Sequence, residues 1–254
     1  MRKTLFAILL ISVFASPAQA GIFDVSDSGN GVIVENKENI FLPYVKRRKA
    51  WGTIFGFQME NYQPKNYSSL LLGGKFESIS GDATVPLISA ELGLKYNFGV
   101  GSVAAIAGYG MGNYADSSVG LDNFGVSVTK ISANFTLDGI MNEPYVAPYI
   151  EGGIHKFQIT EHTNVNGTLG SESPTTSWAM HYRAGLLFQL NWIENSIDPS
   201  SHTEGLRSSG LENTYLDIFY ASYISPSEIS EANGQSGEPD TGSSHIGFGL
   251  KMEF

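Results

Sequence analysis

The segment Ser243–Phe254 reads Ser-Ser-His-Ile-Gly-Phe-Gly-Leu-Lys-Met-Glu-Phe, and it decides the fold class. Every second residue from Ile246 to Phe254 is apolar, and the residues between them are small or charged. Successive side chains of a strand point to opposite faces, so this pattern predicts a strand with one apolar face and one polar face. Two settings fit such a strand: a soluble sandwich, in which the apolar face is core, and a transmembrane barrel, in which it meets lipid.

Eight further segments alternate in the same way, and turn residues separate them. The longest of them, Thr176–Trp192, distinguishes the two settings. Its apolar face has aromatic residues at both ends and aliphatic residues between, as expected of a strand whose ends lie at the two lipid–water interfaces. Its length also exceeds that of most strands in soluble proteins. The nine predicted strands are Trp51–Asn61, Ser69–Ile79, Leu87–Phe98, Ser102–Asn113, Phe124–Leu137, Tyr145–Thr160, Thr176–Trp192, Glu212–Ile224 and the closing segment. We therefore predict an all-β fold, a transmembrane antiparallel up-and-down β-barrel.

The first 39 residues precede the predicted barrel. Residues 1–20 have the form of a secretory signal peptide, with a positively charged start, a short apolar run and a small-x-small cleavage site at Ala18–Ala20. An uncleaved membrane anchor is the alternative. Residues 21–39 form a polar lead, and residues 40–254 form the barrel.

Composition excludes several classes of function. The chain has no cysteine, which excludes disulfides, a thiolate nucleophile and a cysteine metal site. Its formal net charge of −10 argues against nucleic acid as a partner. Beyond Ala20, no continuous apolar run approaches the roughly 20 residues that a transmembrane helix needs.

The number of strands determines where each loop lies. Transmembrane barrels of this kind have an even number of strands, so nine segments need a tenth, and we predict it at Ile40–Val45. This gives about ten strands, with eight as the alternative. The ten-stranded topology places Lys46, Arg47, Arg48 and Lys49 in the first outer loop, where they could contact lipopolysaccharide phosphates; a solvated interface anchor is the alternative. A change of phase between Val128 and Ile131 predicts a β-bulge in the fifth segment.

The closing segment, its final residue Phe254 and the alternating strands resemble the small bacterial outer-membrane β-barrel proteins, the OmpA/OmpW-like superfamily, over roughly Ile40–Phe254. No subfamily is assigned. The resemblance implies a location in the cell outer membrane, contact with outer-membrane lipid and lipopolysaccharide, and recognition of Phe254 by the barrel-assembly machinery. It concerns architecture and does not indicate an activity.

The polar faces of the predicted strands are expected to line the lumen. Side chains fill the interior of a small barrel, and buried charges there have to pair. We therefore predict a structural network of ion pairs, with a narrow polar pore as the alternative. The residues expected in this network are Glu91, Lys95, Glu151, His155, His181, Arg183 and Asp217, and the wider inward set adds Gln58, Glu60, Lys75, Glu77, His245 and Lys251.

The sequence contains no recognisable catalytic or metal-binding motif. Ser243 and His245 share a strand face, but their positions are about 7 Å apart along the strand, so we do not predict a nucleophile–base pair. We expect a non-enzymatic outer-membrane barrel with a structural or surface-interaction role, a filled or narrow lumen, no cofactor and no metal. A narrow channel for small solutes and a lipid-modifying enzyme are the two alternatives. The oligomeric state is left open.

Overall fold

The computed structural model describes residues 43–165, 168–191, 210–226 and 239–254, and nine strands lie within them. The strands are β1 (Trp51–Tyr62), β2 (Val85–Phe98), β3 (Gly101–Asp116), β4 (Leu121–Thr136), β5 (Val146–Val165), β6 (Thr168–Glu172), β7 (Ala179–Gln189), β8 (Asn213–Tyr223) and β9 (Ser243–Glu253). Two short helices, α1 (Tyr44–Arg47) and α2 (Phe76–Ser80), and a 3-10 helix (Ser117–Val119) complete the described elements. The predicted signal peptide, the predicted lead and most of the connection between β7 and β8 lie outside the described residues.

Eight of the strands form a closed antiparallel barrel. Strand β1 pairs with β2 on one side and with β9 on the other, and a pairing between β4 and β5 completes the ring. The order around the barrel is β1-β2-β3-β4-β5-β7-β8-β9, while β6 pairs only with β5. The eight-stranded alternative is therefore confirmed, and the count of ten is wrong.

Ser69–Ile79 does not form the predicted strand, and neither does the part of Ile40–Val45 that the structure describes, for local reasons. Residues 69–79 belong to the loop between β1 and β2, where Gly73 adopts a left-handed conformation with φ 70° and α2 begins at Phe76. Within the described part of Ile40–Val45, the chain turns into α1 directly after Pro43, whose ring fixes φ and removes a hydrogen-bond donor.

The predicted β-bulge between Val128 and Ile131 is also wrong. Pairing between β4 and β5 is continuous there, and the register shift lies instead between Leu121 and Asn123. Val128 and Lys130 both point into the barrel, and Ile131 points outward. The apparent change of phase arises because the interior surface of β4 changes from apolar to polar along the strand.

The two faces of the barrel differ in chemistry. Large apolar side chains cover the outer face, including Leu94 (59% exposed), Ile150 (63%) and Phe248 (53%). The interior face includes many buried charged and polar side chains, such as Glu91, Lys95 and Glu151. We call this exposed apolar band the belt. On β5 it ends at Ile154, because the outward residues beyond that point are polar: Lys156, Gln158, Thr160 and His162.

The two barrel ends are closed differently. One end, which we call the basal end, carries Trp51 and Phe254. The backbone amide and carbonyl of Phe254 pair with the backbone of Thr53. Helix α1 lies in the basal opening with Tyr44 fully buried. At the opposite, distal end, the loop of residues 63–84 covers the opening. In the described segments, no helix combines the length and the apolar character needed to cross a bilayer.

Candidate functional site

The centre of the lumen is bridged by Arg183. This residue lies on β7, and β7 and β2 are four strands apart in the eight-stranded ring, so they face each other. The guanidinium of Arg183 nevertheless reaches Glu91 on β2, with two N–H···O distances of 3.1 and 3.0 Å. Such a two-point contact with a carboxylate is the strongest geometry available to arginine. The bridge therefore crosses the whole width of the barrel.

Other side chains hold the Arg183 bridge in place. Arg183 also donates to Gln58 on β1 and pairs with Glu151 on the neighbouring strand β5. Its guanidinium carbon lies 4.9 Å from the ring centre of Phe219, a distance typical of a cation–π contact. The ring of Phe219 occupies the space in which a side chain at Gly247 would begin, since a Cβ there would lie 2.4 Å from that ring. Gly247 on β9 thus leaves space for the Phe219 ring that packs against Arg183.

A second bridge runs from β4 to β1. The Nζ of Lys130 lies 3.1 Å from Glu60 and 3.3 Å from Glu91, so this lysine connects two carboxylates. Glu60 also accepts a hydrogen bond from the Tyr223 hydroxyl at 2.7 Å and contacts His245 Nε2 at 2.9 Å. All of these groups are buried. Because Lys130 and Arg183 both pair with Glu91, the two bridges form one continuous polar layer.

A third polar cluster closes the basal end. Lys95 on β2 pairs with Asp138 at 2.7 Å and with Glu253 on the closing strand. The Tyr44 hydroxyl accepts from Lys95 at 2.9 Å and donates to Glu253 at 2.8 Å. Arg48 pairs with the other oxygen of Asp138 at 2.7 Å. Burial, reinforced by the nearby carboxylates, raises the pKa of the Tyr44 hydroxyl, so this tyrosine stays a donor at ordinary pH.

The distal part of the interior is apolar. Side chains from β1, β2, β4 and β5 pack there with two residues of the 63–84 loop, Tyr67 and Phe76, which are almost completely buried. Both rings contact Phe124 on β4, with ring centres 5.3 and 4.7 Å away. The loop therefore contributes to the interior packing and seals the distal opening.

Glu161 fastens this distal loop. It lies on β5 beyond the end of the belt, and its Oε2 accepts from the Ser69 hydroxyl at 3.2 Å and from the backbone amides of Leu70 and Leu71 at 3.2 and 3.3 Å. Burial raises the pKa of Glu161 although these hydrogen bonds oppose the shift. Burial and the neighbouring Glu161 raise the pKa of the Tyr67 hydroxyl. A buried carboxylate of the barrel wall thus accepts three hydrogen bonds from residues 69–71 of the loop and holds the loop in place.

The structure places the seven residues expected in the lumen network inside the barrel. Asp217, on the far side from the Lys130 bridge, accepts from the Tyr149 hydroxyl at 2.9 Å and lies 3.9 Å from Lys251. Lys75 and Glu77, which belonged to the wider inward set, are exposed in the distal loop, so that part of the prediction is wrong. The residues found buried in the lumen are Glu91, Lys95, Glu151, His155, His181, Arg183 and Asp217, together with Gln58, Glu60, His245 and Lys251.

The basic cluster Lys46–Lys49 does not lie in an outer loop of a ten-stranded barrel. It lies at the basal end, beside Phe254, because no strand precedes β1 among the described residues. Arg48 points inward to Asp138, and Arg47 donates to the carbonyl of Glu212. Lys46 and Lys49 remain exposed.

Sequence reasoning missed four central residues of the network, Tyr44, Lys130, Asp138 and Glu253. Tyr44 and Asp138 lie outside the strands, where alternation gives no information on direction. The apparent change of phase on β4 obscured the inward direction of Lys130. Glu253 lies on the polar face of the closing segment, so its inward direction could have been inferred from the sequence.

Ser243 and His245 lie closer than their strand spacing predicted. Ser243 Oγ is 3.4 Å from His245 Nδ1, because both side chains lean together on the same face, and the amide of Gln63 donates to the same Oγ at 3.3 Å. The two positions are separated along the strand as expected, and it is the side chains that approach each other. Across the described ranges, no cluster of three or more histidine and acidic side chains is arranged to hold a metal ion.

These features define a class: a small, closed, eight-stranded barrel with a charged, packed interior and an apolar outer belt. In comparisons with solved structures, the chain is similar to the N-terminal β-barrel domain of Pseudomonas aeruginosa OprF, with 14% identity, coverage of 81% of this chain and 98% of that chain, and a TM-score of 0.38. It is also similar to Ail, the attachment invasion locus protein of Yersinia pestis, with 14% identity, coverage of 80% and 97%, and a TM-score of 0.41. A third similar structure is the outer membrane protein AlkL in DMPC lipid bilayers, with 13% identity, coverage of 80% and 88%, and a TM-score of 0.33.

No family model matches the sequence, and no curated protein matches it. The closed eight-stranded barrel is established by the strand pairing itself. The prediction of an all-β, closed antiparallel barrel is confirmed on that ground, with eight strands.

Proposed function

We propose that this protein is a non-enzymatic integral barrel of the bacterial outer membrane, with a filled lumen and a structural or surface-interaction role. The observation that carries the proposal is the distribution of polarity: apolar side chains outside and ion pairs inside. A water-soluble barrel would gain nothing by exposing Leu94, Ile150 and Phe248 together, whereas in lipid the same face is well solvated. Ring closure supports the same conclusion, because it leaves no unpaired sheet edge in the hydrocarbon.

Three successive layers support a filled lumen. The basal cluster around Lys95, the central bridges of Arg183 and Lys130, and the apolar distal packing follow one another along the barrel axis. Ions could pass only if buried pairs separated, which is costly in a low-dielectric interior. A narrow channel and a lipid-modifying enzyme remain alternatives, but no contact in the described residues favours either.

The distal side supports a role at the surface. Strands β4 and β5 continue beyond the belt, and β6 extends this part of the sheet with exposed residues such as Leu169 (78% exposed). If the basal end with Phe254 faces the periplasm, as the resemblance implies, this extension projects from the cell. It offers an exposed sheet surface on which another molecule could bind.

The proposed partners are outer-membrane lipid, lipopolysaccharide and the barrel-assembly machinery. Recognition of Phe254 by that machinery stays a prediction, as does contact of Lys46–Lys49 with lipopolysaccharide. The basal position of the basic cluster removes the topological argument for lipopolysaccharide contact, since an outer-leaflet lipid would lie nearer the distal end. Oligomeric state is left open.

Planar-bilayer recording of the purified full chain tests the filled lumen. We expect no stable conductance steps, because Arg183 and Lys130 cross the lumen. An Arg183→Ala variant serves as the comparison: if the chain were a narrow channel, removing this cation would change its ion selectivity. Large, stable conductance of the unmodified protein would contradict the filled lumen.

A further inference from the structure

Three histidines gather at one level of the lumen, around Tyr223. The ring centres of His155 on β5, His181 on β7 and His245 on β9 lie 4.9, 6.0 and 5.6 Å from the ring centre of Tyr223. His155 and His181 are 5.9 Å apart. This level marks the boundary between the charged middle of the lumen and the apolar distal part, since Phe157 follows His155 along the inner face of β5.

Two of these histidines have a carboxylate beside them. His245 Nε2 lies 2.9 Å from Glu60, and His181 Nε2 lies 3.8 Å from Glu151. Both of these rings therefore lie against an acidic side chain.

His155 is in a different environment. Its ring is completely buried, neither ring nitrogen has a side-chain hydrogen-bond partner, and the backbone of Ala179 and Met180 lies beside it. It packs edge-on against the aromatic rings of Phe157, at 5.0 Å, and Tyr223. The residue directly opposite on β4 is the cation Lys130. The neutral ring of His155 packs here as an aromatic side chain, against Phe157 and Tyr223.

The charged groups around this level come from every neighbouring strand. Lys130 is shared between Glu60 and Glu91, and Arg183 is shared between Glu91 and Glu151. Among the described residues, no ion pair joins His155 to any of these carboxylates. The titratable and charged groups that line the lumen there are Glu60 from β1, Glu91 from β2, Lys130 from β4, Glu151 from β5, His181 and Arg183 from β7, Tyr223 from β8 and His245 from β9.

We propose that His155 makes the barrel sensitive to acid: its ring has to be neutral where the charged middle meets the apolar distal packing, so low pH favours the unfolded chain, which can bind the proton. In the folded barrel, a proton on His155 would add a cation beside Lys130 with no carboxylate to pair with it, and burying such a charge is costly. The unfolded chain pays no such cost, so it binds the proton more readily than the folded chain. Stability is therefore lost as the pH falls through the ordinary histidine pKa of about 6.5.

The experiment compares the full-length chain with two matched variants, folded into phospholipid vesicles. His155→Phe keeps an aromatic ring of similar size and removes the titration, and His162→Phe makes the same change at an exposed histidine of the same strand. Urea unfolding is followed by tryptophan fluorescence between pH 7.5 and 5.0. We expect the folding constant of the wild type to fall about tenfold for each pH unit below 6.5, relative to His155→Phe. The His162→Phe variant should follow the wild type.

A second measurement does not depend on any variant folding. The NMR spectrum of the wild-type barrel with ring-labelled histidine is recorded between pH 7.5 and 5.0. The His155 signal should stay at its neutral position down to at least pH 5. A His155 signal that moves to its protonated position within this range, or equal acid sensitivity of wild type and His155→Phe, would overturn the proposal.

Discussion

At the scale of single residues, buried cations in the lumen each form ion pairs with two carboxylates. Arg183 connects Glu91 with Glu151, and Lys130 connects Glu60 with Glu91. Removal of one of these cations would leave its carboxylates buried without the charge that they share, and that is costly.

Replacement of Arg183 by alanine should be strongly destabilising. Glu91 and Glu151 would be left in the lumen without their shared cation, and we expect a loss of about 3–5 kcal/mol in the free energy of unfolding. Urea unfolding of the barrel in micelles measures this loss. Lys65→Ala, which removes an exposed lysine in the distal loop, is the control and should cost less than about 0.5 kcal/mol. A loss below about 1 kcal/mol for Arg183→Ala would contradict the bridging role.

The hydroxyl of Tyr44 offers a milder test at the basal end. Tyr44→Phe removes one oxygen that accepts from Lys95 and donates to Glu253, and we expect a loss of about 1–2 kcal/mol. Tyr145→Phe, at an exposed basal tyrosine, provides the matched control. Equal unfolding midpoints of both variants in the same assay would show that α1 does not stabilise the barrel through this hydroxyl.

At the scale of elements, the distal loop shows what alternation alone cannot reveal. Tyr67 and Phe76 are buried through packing against Phe124, a residue far away in the sequence. The alternation in residues 69–79 led to the wrong prediction of a strand, because a loop that packs into the barrel interior also needs apolar residues. The strands that do form were predictable, since their pattern extends over a full crossing of the barrel.

Loss of the acceptor at Glu161 should release this loop. Glu161→Ala removes the partner of the Leu70 and Leu71 amides, so residues 63–84 should become accessible to protease while the barrel stays folded. Because burial raises the pKa of Glu161 and favours its neutral form, Glu161→Gln should keep most of the protection. Limited proteolysis with mass spectrometry reads out the difference.

The control for the loop experiment is Glu172→Ala, which truncates the exposed glutamate opposite Glu161 on β6. It should leave the cleavage pattern unchanged. Cleavage in residues 63–84 at the same rate in Glu161→Ala and Glu172→Ala would rule out the proposed fastening of the loop.

At the scale of the whole molecule, sequence alone predicted the barrel class and the inward direction of most lumen residues. It could not predict which residues meet across the lumen, because this depends on the strand number and on the stagger between strands. Glu91 meets Arg183 only because β2 and β7 are opposite each other in a ring of eight. A ring of ten would have paired different side chains, so the error in strand number also concealed the partners.

The most direct test of the central proposal measures what the belt touches. A variant with one tryptophan at Leu186, in the middle of the outer face of β7, and with the three natural tryptophans replaced by phenylalanine, is folded into vesicles containing brominated lipids. We predict that bromines deep in the acyl chains quench the fluorescence of this tryptophan most strongly and that aqueous acrylamide does not. Quenching by acrylamide without quenching by any brominated lipid would contradict an outer face that contacts membrane lipid.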